Sequence, residues 1–146
     1  MPLNWEFTYN GLTFGGNNQI GVTLIQGLEH PESKTDIRPN VGRDGSFVHA
    51  AFSTERRVTI TGDMFATVST LEALIDSWRT AFDNQVSDLN LDYKAGTAAD
   101  RRIKCRPSKR TLTITDYDIG LALWVVELVA ADPAIYNTSD VKLFDG

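Results

Sequence analysis

The chain has 146 residues, of which 42% are hydrophobic and 23% charged, and its formal net charge at pH 7 is −5. This composition is typical of one globular domain with a full core, and the single cysteine, Cys105, excludes an internal disulfide. No run is long enough to span a bilayer, and residues 1–10 lack a basic and then apolar leader. We therefore expect a protein without a membrane segment that is not exported by the general secretory route.

The charge is unevenly distributed along the chain. Residues 101–110 contain six basic residues and no acid, so this segment carries +6 and the remainder −11, since −5 − 6 = −11. An acidic body repels nucleic acid at long range, which disfavours a dedicated DNA-binding role. The basic segment still allows a local contact.

The first predicted element is a β-hairpin. Residues 5–9 and 12–14 are rich in aromatic and β-prone side chains, and between them lies Asn10-Gly11, a dipeptide that tolerates the positive φ angles of a type I′ turn. Residues 20–28 are predicted to form the next strand.

Residues 29–46 have a different character. They hold two prolines, two glycines, four acids and three bases, and only Ile37 and Val41 are clearly apolar. A stretch of this length without secondary structure is uncommon inside a compact domain and usually indicates function or partial disorder. Two interpretations stay open. The segment is either a loose surface excursion or an arm that folds against a partner chain and buries Ile37 and Val41 there.

Two strands and the single predicted helix come next. Residues 47–52 and 56–64 are typical of strands. Residues 69–84 carry apolar side chains at the spacing of one helical face. The members of this stripe are Leu71, Leu74, Ile75, Trp78, Ala81 and Phe82. Ser69 and Glu72 match a capping box, so the helix is predicted to begin near Ser69. We expect Trp78 to be its largest anchor in the core.

The second half of the chain is predicted to be all strand. Residues 89–93 alternate apolar and polar side chains, and residues 101–106 and 110–115 follow as two strands separated by Pro107-Ser108. Residues 119–131 are apolar on both faces, so this strand must be covered on both, by the helix and another sheet or by a neighbouring subunit. About eight strands with one helix inserted midway predict a mostly β, α+β fold, a β-sandwich or split barrel.

The strand over residues 101–106 has two open interpretations. Its alternation places Arg102, Lys104 and Arg106 on one face. They either protect an edge strand against sheet-to-sheet pairing or form a positive stripe. Such a stripe would meet an acidic patch on a neighbouring subunit or line a channel.

No constellation of residues predicts catalysis. His30 and His49 are the only histidines and, with one cysteine, give no zinc-ligand spacing. Cys105 is expected to pack as a small apolar residue. Asp116-Tyr117-Asp118 lacks the glycine and the terminal glutamate of a calcium loop and predicts a hairpin turn. We therefore predict a protein that is not an enzyme and has no catalytic residue, cofactor or metal site.

Glu127 is the exception in the apolar terminal strand. If it is buried it should be paired, and a basic residue from 101–110 is its natural partner. An unpaired Glu127 in a cleft would instead be a candidate catalytic acid, for example together with Asp132. Beyond this strand, Ile135 and Tyr136 are expected to pack back, and residues 137–146 form a polar tail or a segment that awaits a partner.

The order of these elements resembles a known family. The strand Arg56-Arg57-Val58-Thr59-Ile60-Thr61-Gly62 precedes the helix, and a Leu-Asx-Tyr strand, Leu91-Asp92-Tyr93, precedes the basic strand. The hydrophobic strand then runs into Asp132-Pro133-Ala134-Ile135-Tyr136. This arrangement resembles the N-terminal domain of the siphophage distal tail protein (Dit) family and, more loosely, phage tail-tube proteins. The resemblance covers about residues 12–136.

The resemblance implies a β-sandwich or split barrel with one flanking helix, assembled as a homohexameric ring around the tail channel of a long-tailed bacteriophage. Its implied partners are copies of itself, the tail-tube protein, the tape measure and the hub or tip proteins, with DNA passing through the lumen unbound and no membrane contact. The implied location is the virion, after synthesis in the cytoplasm of the bacterial host. We expect residues 1–146 to be one tail-tube-like domain without the accessory C-terminal module of many family members.

The predicted subunit interface has two parts. They are Ile37, Arg38, Val41 and Arg43 on the arm, and Arg102, Lys104 and Arg106 on the basic strand. Two alternative functions remain, a tail-tube or other minor ring protein and a small carbohydrate-binding β-sandwich. The second would need an exposed aromatic platform, for which Trp5, Tyr9 and Phe14 are the available cluster.

Overall fold

The structure is a computed structural model that describes part of the chain. The described residues are 5–16, 18–28, 33–39, 46–53, 55–83, 87–94, 100–116 and 118–144, with only the backbone of 33–39, 46–53 and Phe144. In this part of the chain, no helix is long and apolar enough to cross a membrane.

The described residues form eleven strands and one helix. In chain order these are β1 (Glu6–Tyr9), β2 (Leu12–Gly15), β3 (Ile20–Gln26), β4 (Ser33–Pro39), β5 (Ser46–Ser53), β6 (Arg56–Phe65), α1 (Val68–Ala81), β7 (Leu89–Lys94), β8 (Arg101–Asp116), β9 (Leu121–Ala130), β10 (Ile135–Asn137) and β11 (Lys142–Phe144). The predicted fold class, mostly β with one helix, is confirmed.

One antiparallel sheet of nine strands makes up most of the molecule. Its order is β2-β1-β7-β8-β9-β6-β3, and the short strands β10 and β11 join it beside the start of β8. The first part of β8 pairs with β7, and the part from Arg106 onward pairs with β9. β8 therefore joins two layers, and the sheet folds over its core without closing. We call β3, β6, β9 and residues 106–116 of β8 the four-stranded layer.

The core lies between the two layers and α1 and is dominated by aromatic rings. The Trp124 ring is 1% exposed and lies 5.7 Å from Phe14, 6.2 Å from Phe82 and 6.3 Å from Trp78, measured between ring centroids. Trp78 is therefore the helix anchor that the sequence predicts. These contacts join β2, β9 and α1, so the aromatic cluster fixes the layers and the helix relative to each other.

The first hairpin forms as its sequence predicts. β1 and β2 pair in register with Tyr9 opposite Leu12, so Asn10-Gly11 is a two-residue turn. Asn10 has φ 49° and Gly11 has φ 83°, the left-handed backbone of a type I′ turn. An Asn10 side-chain N–H also donates to the Ala81 carbonyl at 3.2 Å, which ties the turn to the end of α1.

The helix begins within one residue of the predicted start, but the predicted capping box does not form. α1 begins at Val68 with Thr67 as its N-cap, and Ser69 lies inside the first turn, so no Ser69–Glu72 capping box forms. Thr67 has the extended backbone (φ −61°, ψ 155°) that an N-cap requires, and its hydroxyl lies 2.9 Å from that of Thr70 instead of accepting from a backbone amide. A threonine two residues earlier therefore takes the position that the capping box predicts for Ser69.

The predicted lack of secondary structure over residues 29–46 is wrong for residues 33–39. These form β4, which pairs with β5 as a separate two-stranded hairpin. Lys34, Thr35, Asp36 and Arg38 leave the strand without an apolar stripe, so hydrophobic periodicity does not reveal it. Backbone pairing alone defines this strand.

Two further boundaries differ from prediction. Residues 101–106 and 110–115 belong to one strand, β8, because a register shift between Pro107 and Lys109 accommodates a proline that has no N–H for the ladder. Residues 142–144 are also not a tail, since they form β11 and pair with β10. The Asn137 side-chain oxygen closes the intervening turn by accepting from the backbone N–H groups of Ser139 and Val141, both at 2.9 Å.

Candidate assembly surface

The terminal apolar strand is covered on one face only. The inward face of β9 is buried, and its members are Ala122, Trp124, Val126, Leu128 and Ala130. On the outward face Leu123 is 47% and Val125 40% exposed. The sequence requires a cover for both faces, and within the described residues the chain supplies one.

The outward face continues across the four-stranded layer as an apolar and threonine-rich surface. Val125 pairs with Thr61 of β6 and Thr111 of β8, and Thr61 pairs with Leu24 of β3. Leu24 and Phe65 are 52% and 61% exposed. Exposed apolar side chains on adjacent strands mark a surface for contact with another molecule more often than scattered single ones do. We call this surface the outer face.

The four-stranded layer has an open strand at each side. β3 pairs with β6 and with no other described strand. β8 leaves β7 after Cys105, so residues 106–116 pair with β9 alone among the described strands. Unpaired N–H and C=O groups on an open strand are ready to pair with another chain.

Apolar side chains lie beside both open strands. Next to β3 is a cleft of ≈ 500 Å³ lined by Trp5, Val22, Leu24, Ile25 and Leu28, among other residues. On the other side of the layer Ile114 of β8 is 45% exposed and lies beside α1. The layer is thus incompletely covered at the two places where its backbone is unpaired.

The basic strand is neutralised within the chain. The Arg102 guanidinium donates to both carboxylate oxygens of Asp92, at 2.7 and 3.1 Å, and to Asp140 at 3.1 Å. The hydrogen bonds that Arg102 donates to Asp92 raise the pKa of Arg102. Lys104 lies 3.7 Å from Asp140, and Arg106 lies 2.7 Å from Asp88. The three cations share one face as predicted, and each has a carboxylate partner.

The position of this strand excludes one of its two interpretations at Arg101 and Arg102. Residues 101–105 of β8 pair with β7 on one side, and Arg101 and Arg102 pair with β10 on the other. The segment is therefore interior at its start, and protection of a sheet edge does not explain its charge there. Its role at a subunit interface remains a prediction.

The arm residues are placed only in part. Ile37 and Arg38 lie in β4, opposite Val48 and Phe47 of β5. Their side chains, together with all of Val41 and Arg43, lie outside the described residues. Burial of the arm against a partner chain also remains a prediction.

Glu127 is paired as predicted, although its hydrogen bonds come from residues other than the predicted cations. Its carboxylate accepts from Arg57 of β6 at 2.9 Å and from Ser108 of β8 at 3.0 Å, whereas the sequence points to a basic residue of 101–110. β6 and β8 both flank β9, and Thr59 of β6 and Lys109 of β8 lie directly opposite Glu127 on its two sides. The Ser108 and Arg57 hydrogen bonds lower the pKa of Glu127. The charge of Lys109, a member of the predicted basic segment, also lowers the pKa of Glu127. A low pKa favours the ionised carboxylate and does not suit a general acid.

The other candidate reactive residues, Cys105 and Asp132, are engaged in burial or in hydrogen bonds within the fold. The Cys105 side chain is fully buried, and burial raises the pKa of its thiol. The Asp132 carboxylate accepts from the Tyr136 hydroxyl and from the Ala134 backbone N–H. Among the described residues, no group of three or more His, Cys, Asp or Glu side chains could hold a metal ion.

The aromatic platform that a carbohydrate-binding function requires does not form. Tyr9 and Phe14 are fully buried, and Trp5 is half-buried beside the β3 cleft. The Tyr9 hydroxyl donates to the Cys105 carbonyl at 3.0 Å, so its polar end is also used internally. The prediction that these rings could share an exposed surface is wrong because the short hairpin turns its aromatic face into the core.

Sequence reasoning missed Arg56 and Ile114. Arg56 is fully buried, although its position at the start of an alternating strand gives no sign that a charge would face the core. Ile114 lies on the inward face of β8 and is still 45% exposed, because neither layer nor helix fully covers the end of that strand. Strand alternation identifies the face of Ile114 but not the extent of the neighbouring layer.

No family model matches the sequence, and no curated protein matches it. Solved structures that are similar in fold include a phage distal tail protein and a tube cap. The crystal structure of the phage SPP1 Dit protein, described as a paradigm of the hub adsorption apparatus in phages that infect Gram-positive bacteria, matches with TM-score 0.68 and 15% identity. The matched region covers 91% of this chain and 52% of SPP1 Dit, so this chain spans about half the length of that protein.

The second similar structure is the cap that terminates the tube of the anti-feeding prophage, determined by cryo-EM. It matches with TM-score 0.53 and 15% identity over 94% of this chain and 93% of the cap. At these identities the likeness shows the fold. The predicted resemblance to the distal tail protein fold is thereby confirmed.

Proposed function

We propose that this chain is a structural component of a long-tailed phage tail. It forms a ring at the distal end of the tail tube and links the tube to the tip or hub proteins around the DNA channel. The observation that carries the proposal is the four-stranded layer, which has an exposed outer face and, among the described residues, a strand with one unpaired edge at each side. The fold likeness to SPP1 Dit and to the tube cap supports the assignment to phage tails.

The strand order of this layer suits a ring. Its four strands are antiparallel, so β3 and the second part of β8 run in opposite directions. Copies related by rotation about an axis would bring β8 of one copy beside β3 of the next, again antiparallel. An even number of strands therefore lets the sheet continue from copy to copy without a break in its pairing. Such a head-to-tail contact joins two different patches and closes when the rotation closes.

The apolar side chains beside the open strands fit the same contact. Ile114 beside β8 would enter the neighbourhood of the β3 cleft on the next copy, where Val22 and Ile25 are half-buried. Pairing the two edges would remove these groups from water while it satisfies the unpaired backbone groups. The outer face would then line the channel inside the ring.

The tube cap supports a second form of this function. That protein is matched over 93% of its length, whereas SPP1 Dit is matched over 52%. In both forms of the proposed function, the same contact between β3 and β8 would join the copies of this chain. The contact is therefore the property to test first.

The test is the mass of the purified protein as a function of concentration, measured by light scattering and by electron microscopy of the particles. We expect rings of a single stoichiometry for the native chain. Ile114→Glu places a charge beside the open part of β8 and should raise the concentration needed for assembly at least tenfold. Val141→Glu is the matched control, since Val141 is 57% exposed on the β10–β11 hairpin and away from both open strands.

A native chain that stays monomeric at high concentration would contradict the ring. Rings that form equally well with Ile114→Glu would contradict the proposed edge contact and leave the ring to be explained by another surface. Thermal unfolding of both variants separates loss of assembly from loss of folding.

A further inference from the structure

Arg56 is the only fully buried charged side chain among the described residues. It lies at the first position of β6, where the chain returns from the β4–β5 hairpin to the sheet. Burial of a charge is costly unless hydrogen bonds compensate for the lost water. The groups that accept hydrogen bonds from Arg56 therefore show which parts of the chain this buried charge holds in place.

The guanidinium joins two segments that are distant in sequence. Its Nη1 donates to the Gly27 carbonyl at 2.7 Å, and its Nε donates to the Pro133 carbonyl at 3.0 Å. Gly27 directly follows β3, so Gly27 and Arg56 stand on either side of the segment that contains the β4–β5 hairpin. Pro133 lies in the connection from β9 to β10. We call Gly27 and Arg56, which flank this segment, the base of the hairpin. One side chain thus links this base to the start of the C-terminal strands.

Both acceptors are themselves fixed in position. Gly27 has φ 96°, and a Cβ atom there would lie 1.9 Å from the Arg57 carbonyl oxygen, so the chain requires glycine and runs directly against β6. Beside Pro133, the Asp132 carboxylate accepts from the backbone N–H of Ala134 at 3.0 Å and from the hydroxyl of Tyr136 in β10. Neither carbonyl can turn away without disturbing its own segment.

We propose that Arg56 is a positioning residue that couples the base of the β4–β5 hairpin to the β9–β10 connection. The planar guanidinium offers two donors at a fixed angle, so both segments keep their positions together and lose them together. This coupling goes beyond the proposed function, because it is a property of the single chain and holds whether or not a ring forms. Arg56 gives the base of the hairpin and the C-terminal strands one shared anchor.

Hydrogen exchange of the full chain, followed by mass spectrometry, tests the coupling. In Arg56→Met we expect the amides of Leu28 and Ala134 to exchange about tenfold faster or more, because two charge-assisted hydrogen bonds are lost. Exchange in α1 and in the centre of β9 should stay at the native rate. Arg56→Lys keeps the charge but lacks the fork, so one of the two segments should remain protected and the other should not.

Arg57→Met is the matched control. It makes the same chemical change one position along β6, on the exposed side of the strand, where Arg57 pairs with Glu127. It should leave Leu28 and Ala134 at the native rate. Faster exchange at only one segment in Arg56→Met, or the same effect in Arg57→Met, would overturn the coupling.

Equal acceleration throughout the molecule would also overturn it, since that result describes a general loss of stability. If Arg56→Met does not fold, Arg56→Lys decides the question by the same comparison. In Arg56→Lys, the proposal would be contradicted if neither segment lost protection or if all amides lost protection equally.

Discussion

Gly62 of β6 provides a sharp test of the core packing, because a single methyl group has nowhere to go there. A Cβ atom at this position would lie 2.0 Å from the Gly21 carbonyl oxygen and 2.6 and 2.7 Å from two ring carbons of Trp124. The carbonyl belongs to β3, the strand paired with β6, and the ring is at the centre of the aromatic cluster. Gly62→Ala must therefore displace either the strand or the cluster.

The geometry sets the size of the effect. Ordinary contact begins at 3.4 Å, so the Gly21 oxygen would have to retreat by 3.4 − 2.0 = 1.4 Å. Overpacking a core typically costs about 1–3 kcal/mol of unfolding free energy. Because a paired backbone carbonyl yields less easily than a side chain, we expect about 3 kcal/mol. For a chain of this length that corresponds to a fall in melting temperature of roughly 10 °C.

Thermal unfolding followed by circular dichroism measures this loss, and urea unfolding supplies the free energy. Gly21→Ala is the control on the paired strand. Its Cβ atom would lie 2.7 Å from a carboxylate oxygen of Asp63, which can rotate away, so we expect a change below about 1 kcal/mol. A Gly62→Ala protein that melts within a degree or two of the native chain would refute the packing described for Trp124.

Three further predictions concern single polar groups. The buried indole N–H of Trp78 has no hydrogen-bond partner in the described structure, whereas that of Trp124 donates to a backbone carbonyl at 3.2 Å. In urea unfolding Trp124→Phe should therefore cost about 1 kcal/mol more than Trp78→Phe, and the reverse order would contradict this assignment. Because the folded pKa of Glu127 is lowered, the stability that its ionised carboxylate contributes is complete above its unfolded pKa of about 4.3 and is lost as the pH falls through the folded value. The variant Glu127→Gln should therefore lose less stability on acidification than the native chain. Melting curves recorded against pH measure this difference. Asp92→Asn removes the negative charge and one of the two oxygens that accept from Arg102, a side chain that is 15% exposed, and should lower the unfolding free energy by about 1–2 kcal/mol; an unchanged urea midpoint would count against that ion pair.

The elements with strong local signals were predictable from sequence. Asn10-Gly11 between aromatic strands gave the first hairpin, and the helical stripe identified the buried side of α1 with Trp78 as its anchor. These signals succeed because backbone conformation and burial follow from residues within one or two turns of each other. The resemblance in element order also predicted the fold, although no single motif in it is specific.

The features that sequence reasoning missed depend on distant parts of the chain. β4 has no apolar stripe and is defined by its backbone pairing with β5. β8 continues through Pro107 because its partner strand accepts a register shift at that point. The partner of Glu127 follows from the order of strands in the sheet, which places β6 beside β9. Local periodicity carries none of this information.

The paired charges of the outward surface bear on what a ring of this protein would do with DNA. From sequence alone, the +6 segment could have formed a positive wall that retains a passing polyanion. In the structure four of the outward cations have carboxylates beside them. Arg57–Glu127 and Arg106–Asp88 involve strands of the four-stranded layer, whereas Arg102–Asp92 and Lys104–Asp140 lie on the part of β8 that pairs with β7. The rest of the outer face is mainly threonine and aliphatic side chains, with Lys109 opposite Glu127 and Asp63 on β6. An outer face that is mostly uncharged, with Arg57 and Arg106 paired to carboxylates, offers DNA little to bind, which is what the proposed channel requires of the ring that surrounds it.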